Sequence, residues 1–280
     1  MLDSRRRNYV SASQAHRVMA GFRTELDNAG MVEPEGVDPN LRDFIQKNGK
    51  CLAGAAKAAG IVASGAEIAE MYKYVKSLEP VITEGMITVA REIAISEFIK
   101  FRPEQFESKA MEMGNDLEVE AVSILENHIK SKIDNTGENQ SFFHTENLSA
   151  TPDGVVYDDF TVIELAEVKC LQIESHSKFL HLLKDQDDLL EHAPEYFWQT
   201  MTQLEVTGAK MVHFQTYCPY FEDGYNLVYV PVYPNERYID ILNSRAETVL
   251  ELVPGIRQQI IDNPARIWIE HELNTTEAAQ

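Results

Sequence analysis

The chain has 280 residues, 44% of them hydrophobic, and a formal net charge of −20 at pH 7. That is enough to bury one good core, as one large domain or one domain with an elaborated end, while the charge sets the chain apart from the basic majority of nucleic-acid binders. Three dispersed cysteines without a Cys-x-x-Cys pair argue against a disulfide framework or zinc knuckle, and the lack of an apolar leader or an apolar run of about 18 residues predicts a cytoplasmic protein without membrane insertion.

In chain order, Arg5-Arg6-Arg7 and an extended Asn8-Tyr9-Val10 precede Ser11-Ala12-Ser13. Ser11 or Ser13 is positioned to cap a helix carrying Ala15, Val18 and Met19. Hydroxyls and guanidiniums at a helix N-terminus form a ready anion site; the alternative is a plain capped helix with a solvated basic tail. Residues 27–48 predict a loop with one short amphipathic helix around Leu41–Ile45. The Ala- and Gly-rich stretch 51–70 fits either a tightly packed helix or a mobile surface segment. Apolar positions at Ile87, Ala90, Ile93, Ala94 and Phe98 predict an amphipathic helix over 82–101. The next helix runs its apolar side through Leu117, Ala121, Ile124, Leu125 and Ile129. Glu118 projects near that side, where a carboxylate must pair, protonate or bind metal. Glu112, Asp116 and Glu120 fit the solvated face.

The stretch Ala150–Cys170 reads as a β-hairpin opened by Pro152-Asp153-Gly154. If its turn centres near Phe160, positions summing to about 320 oppose each other, and Asp153 faces Glu167. Opposed side chains sit ~5 Å apart at Cβ, so two like charges there call for a cation between them. Alternation places Ile163, Leu165, Glu167 and Lys169 on one face, setting an ammonium beside that cation, where it can orient or deprotonate a bound water. Further on, His176, His181 and His192 have no recognised ligand spacing and read as surface histidines. A helix following Pro194 carries Tyr196, Gln199 and Gln203 as a polar-aromatic stripe, and Gly208 ends it. Residues 211–217 and 227–232 predict strands, and residues 237–262 a helical region interrupted at Pro254-Gly255.

Asp153, a gap, then Glu167-Val168-Lys169 resembles the core of the PD-(D/E)XK nuclease superfamily, and the flanking segments are similar to the lambda-type phage exonucleases, or YqaJ-like viral recombinases. Five elements carry the likeness in order: Arg6 with Ser11-Ala12-Ser13; Gly114, Glu118 and Ala121; Asp153; Glu167 and Lys169; Tyr196 and Gln199. The resemblance implies an α/β fold with a central mixed sheet of four or five strands between helices and a helical N-terminal elaboration. It implies one nuclease domain over 1–280: a mostly helical part to 110, a catalytic core over 111–235, and C-terminal helices and tail. It implies Mg²⁺, or Mn²⁺ as a substitute, as two ions held by Asp153, Glu167, the Val168 carbonyl and Glu118, with Lys169 and Gln199 placing the attacking water. Arg6, or Arg7 if the register slips by one, would hold a 5′-phosphate with Ser11 and Ser13. The implied activity is 5′-to-3′ digestion of linear double-stranded DNA to leave 3′ overhangs for a single-strand annealing protein, by a homotrimeric ring. Two other readings share some features: a restriction-like or Cas4-like endonuclease, and a non-catalytic acidic mimic of DNA.

Overall fold

A computed structural model of the chain describes residues 8–28, 30–49, 53–99 and 109–263, the side chains of 109–116 excepted. Strand β1 (Val10–Ser11) is followed by a single 3-10 turn (Ala12–Gln14) and the four-residue helix α1 (Ala15–Val18). Helices α2 (Arg23–Asn28), α3 (Leu41–Asn48), α4 (Ala53–Ala58), α5 (Gly65–Ser77), α6 (Glu84–Ser96) and α7 (Lys109–Ile129) come next. The strands β2 (Phe143–His144), β3 (Leu148–Ala150), β4 (Gly154–Asp158) and β5 (Thr161–Cys170) lead to α8 (Ile173–Leu182), α9 (Gln186–His192) and α10 (Pro194–Thr207). Strands β6 (Met211–Tyr217) and β7 (Leu227–Val232) and helix α11 (Glu236–Ile261) complete the described chain. Two compact units result, one of residues 21–83 and one of the remainder.

In the unit of residues 21–83, α3 forms where the short amphipathic helix was expected, and the Ala- and Gly-rich stretch resolves into α4 and the start of α5. Asp38 accepts from the backbone N–H of Asn40 and of Val62, both at 2.9 Å, and Ser64 with Glu67 forms a capping box that starts α5. Leu41, Ile45, Ala56, Ile61, Ile68, Met71 and Val75 make its core.

The larger unit is built on a mixed sheet in the order β4-β5-β6-β7. Pairing is antiparallel for β4 with β5, parallel for β5 with β6, and antiparallel for β6 with β7. A parallel neighbour demands a crossover, and α8 to α10 supply it. Pro194 sits in the first turn of α10, where its missing N–H costs nothing, and Gly208 ends that helix at φ +68. α7 covers one face, its Ala121, Val122 and Leu125 packed with Val156, Ala166, Val168 and Tyr217. α10 lies on the other face. A small second sheet, β1-β3-β2, pairs Val10 with Leu148 and Ser11 with Ser149 in parallel, and His144 with Ser149 antiparallel.

Several expectations need correction. α6 buries Met86, Val89, Ala90, Ile93 and Ala94, a complete helical stripe; Ile87 stands one residue outside it and Phe98 lies beyond the helix end, 46% exposed. α1 is too short to carry a useful dipole, so Ser11 and Ser13 cannot draw on one; Ser11 instead caps the 3-10 turn, its N–H donating to Gln14 Oε1 at 3.0 Å. His176 is buried, its Nε2 donating to the Tyr225 carbonyl at 2.9 Å and its Nδ1 accepting from Thr216. α11 runs unbroken through Pro254, which removes one backbone donor without ending the helix.

Candidate active site

The β4/β5 hairpin has the predicted register near the site. Gly154 pairs with Ala166, Val155 with Leu165 and Val156 with Glu164, sums of 320 in each case. The paired register ends at Gly154: the Asp153 N–H donates to the Ala166 carbonyl at 3.1 Å, which ties Asp153 to β5 just outside the ladder. Nearer the turn a bulge shifts the pairing by one, and Asp159 takes φ +52 to close the loop. That bulge overturns part of the predicted face. Ile163 packs with the α7-side cluster, whereas Glu167 faces α10.

Glu167 is completely buried, and three side chains converge on it. Lys169 Nζ and Gln199 Nε2 donate to its Oε1, the latter at 2.5 Å, and Gln203 Nε2 donates to its Oε2. The two glutamines lie one turn apart on α10, so both amides reach the same carboxylate. Tyr196, a turn earlier, stacks on Phe214 with ring centroids 5.5 Å apart, and Lys169 Nζ lies 5.6 Å from the Tyr196 ring centroid. Burial disfavours the Lys169 ammonium, but Glu167 and Asp153 outweigh it and hold its pKa above the usual lysine value. It is a fixed cation.

Asp153 accepts from the Val168 N–H at 2.9 Å and from Gln140 Nε2 at 3.1 Å. In an extended strand the N–H and C=O of one residue point to the same side, so the Val168 carbonyl is presented on the Asp153 side. Burial, reinforced by Glu167, pushes the Asp153 carboxyl up to about 8. Glu118 is half-buried on α7. It accepts from the Gly137 N–H, its Oε1 is buried without a partner, and burial raises its pKa. The same surroundings push the Cys170 thiol up to about 11, through burial first and then Glu118 and Asp153.

Ser11, Ser13, Gln140, Phe142, Ser149, Thr151 and Gln199 line one cleft of about 200 Å³. The predicted phosphate hydroxyls therefore share a cleft with the two glutamines bonded to Asp153 and Glu167. Arg6 and Arg7 lie outside the described residues. Gln140 had no sequence signal, since it comes from an irregular loop, and Gln203 was visible only as part of the stripe.

A model of the YqaJ-like viral recombinase domain matches residues 55–210, more than half of the chain. The chain belongs to the YqaJ-like viral recombinase family. An alkaline exonuclease, LHK-Exo from Laribacter hongkongensis, is similar in fold, at 18% identity and TM-score 0.54 over 67% of this chain and 89% of that one. Its complex with dAMP gives 16% identity and TM-score 0.57 over 93% and 95%. A phage related exonuclease from Haemophilus somnus 129PT gives 15%, 0.52, 90% and 95%. The expected mixed sheet between helices is the observed one. No curated protein matches the chain.

Within this YqaJ-like site, the donor chemistry suits a hard, oxygen-seeking dication. Glu118, Asp153 and Glu167 offer oxygen only, and each of the first two is pushed towards protonation in part by another carboxylate. Among the described residues no three His, Cys, Asp or Glu side chains already form a metal-ligand group. The Asp153 and Glu167 oxygens carry hydrogen bonds, yet an ionised carboxylate has about four lone-pair sites, so these bonds leave room for a cation.

The raised Asp153 pKa has a testable consequence for stability. Because the folded protein holds this proton more tightly than the unfolded chain, Asp153 lowers stability progressively as pH rises from about 4 through about 8. Thermal melts in EDTA should show Asp153→Asn gaining on the unmodified protein between pH 5 and 8.5, by a few degrees. A difference that stays constant over that range would remove the carboxylate repulsion from the account.

Proposed function

We propose that the protein is a metal-dependent exonuclease that digests one strand of linear double-stranded DNA from 5′ to 3′, leaving a 3′ overhang for a single-strand annealing protein. The observation that carries this reading is the shared cleft: Ser11 and Ser13 line it together with Gln140 and Gln199, which bond the hairpin carboxylates. A chain end held by the serines would present its first phosphodiester to those carboxylates. Asp153, Glu167 and the Val168 carbonyl would hold Mg²⁺, or Mn²⁺ in its place, with Glu118 on a second ion. When bound, the metal supplies Lewis-acid polarisation of a phosphoryl oxygen and an acidified water.

The protein's own residues do the positioning. Lys169 stays protonated between two carboxylates, so it donates to a phosphate or water oxygen and stabilises the charge that builds there, instead of removing a proton. Gln199 anchors its amide nitrogen on Glu167 and turns its carbonyl oxygen to the task of orienting a water. Gln203 holds the second oxygen of Glu167, and Tyr196 supports Lys169.

Arg6, with Arg7 beside it, completes the proposed 5′-phosphate contact. A terminal phosphate carries more charge than an internal diester, and each charge-assisted contact contributes about 1.5–3 kcal/mol, or roughly ten- to a hundredfold in initiation. A 5′-phosphorylated duplex should be digested faster than its 5′-hydroxyl counterpart, with Arg6→Ala narrowing the gap and Lys169→Ala abolishing hydrolysis of both. Equal rates on the two ends for the unmodified protein would reduce the N-terminal segment to a capped turn.

A homotrimeric ring would let a chain of net charge −20 retain DNA by enclosing it, where its overall field gives no help. Light scattering at micromolar concentration is expected to report three chains per particle. A monomer that nonetheless digests long DNA processively would contradict the ring.

A further inference from the structure

Three rings gather where the small sheet meets the cleft. Tyr9 lies 4.9 Å from His144 and 6.2 Å from Phe142, and Phe142 lies 5.7 Å from His144, centroid to centroid. Tyr9 and Phe142 are half-buried and His144 is exposed. The pairing order β1-β3-β2 sets β1 and β2 on opposite edges of β3, about 10 Å apart, and the Tyr9 and His144 side chains close that span between them. Phe142 belongs to this cluster and also lines the cleft. None of the rings is needed for the carboxylate site.

A second feature of the same cleft points to a ligand. Ser149, in the middle of β3, lines it with a residue exposure of only 1%, and its hydroxyl has no hydrogen-bond partner. Buried polar groups are almost always satisfied, so an orphaned hydroxyl in a cleft wall is a marker for an incoming polar group.

We propose that the Tyr9–Phe142–His144 cluster and Ser149 form a binding site for the unpaired nucleobase at the end of the strand being digested. This rests on the exonuclease reading. The cluster places an aromatic ring, Phe142, in the cleft wall, and every base has a π-face, so a stacking contact there tolerates any sequence, as processive digestion requires. Ser149, in the wall of the same cleft, supplies a polar contact. The hydroxyls of Ser11 and Ser13 serve the phosphate, the rings serve the base, and the two together fix the terminal nucleotide before its diester reaches Asp153 and Glu167.

The test uses the full-length protein and a 5′-phosphorylated linear duplex with 2-aminopurine as its 5′-terminal base. In an Asp153→Asn background, where hydrolysis is not needed, binding should quench the fluorophore. Adding Phe142→Leu should relieve the quenching and weaken binding roughly five- to a hundredfold, the range for loss of one base–aromatic stack. On the catalytic protein, a duplex whose 5′-terminal residue is abasic should be digested more slowly than an intact one by a similar factor. Phe142→Leu should slow only the intact substrate. Tyr9→Leu serves as the second variant if Phe142→Leu melts below the assay temperature. Quenching that depends on Phe142 without any digestion would keep the base site and defeat the nuclease reading. Digestion that proceeds equally on intact and abasic ends, with quenching indifferent to both ring variants, would overturn the base site and leave the nuclease reading standing.

Discussion

The larger unit depends on one buried carboxylate. Glu167 sits in the middle of the central sheet with no exposed surface, and an ion in that position without partners would cost several kcal/mol. Lys169, Gln199 and Gln203 remove most of that cost, and in doing so they fix how β5 and α10 lie against each other. The rest follows from that alignment. α10 must start at Pro194 and end at Gly208 so that both glutamines face the strand. The crossover that carries α10 must then return as β6, parallel to β5. Removing either amide would leave a charge buried and under-satisfied, so function and stability are tied at this point.

Charge shapes the site as much as packing does. Three carboxylates share a region with one ammonium, and Asp153 rises to about 8 and Cys170 to about 11, through burial first and then through the neighbouring carboxylates. Such an arrangement is unfavourable on its own, and a cation entering as proposed would relieve it, the trade-off expected of a binding site. The chain's overall acidity makes the same point at larger scale. Attraction to a polyanion cannot come from net charge here and has to be local.

The hairpin could be read from the chain because a period-two pattern and a turn signal fix register with few alternatives: Gly154 pairs with Ala166 as the arithmetic required, with Asp153 one residue outside the ladder. The bulge that moved Ile163 to the other face left no mark, since one extra residue does not change composition. α7 and α10 were legible from spacing and from Pro194 and Gly208; in α6 Ala90, Ile93 and Ala94 were placed correctly, and Ile87 stood in for Met86 because the two are equally apolar neighbours. His176 looked like a surface residue among acidic neighbours; only the fold shows Thr216 and Tyr225 closing around it. Gln140 and Ser149 reach the cleft through tertiary structure alone, from a loop and a three-residue strand too short to carry a pattern.

The central claim is that these carboxylates, with a divalent metal, act on a chain end. End-labelled linear duplex and closed circular duplex of the same sequence, each incubated with the protein in Mg²⁺ and in EDTA, test it most directly. Labelled mononucleotide should be released from the linear DNA in Mg²⁺ only, with the circle untouched. Cleavage of the circle, or release that persists undiminished in EDTA, would contradict it.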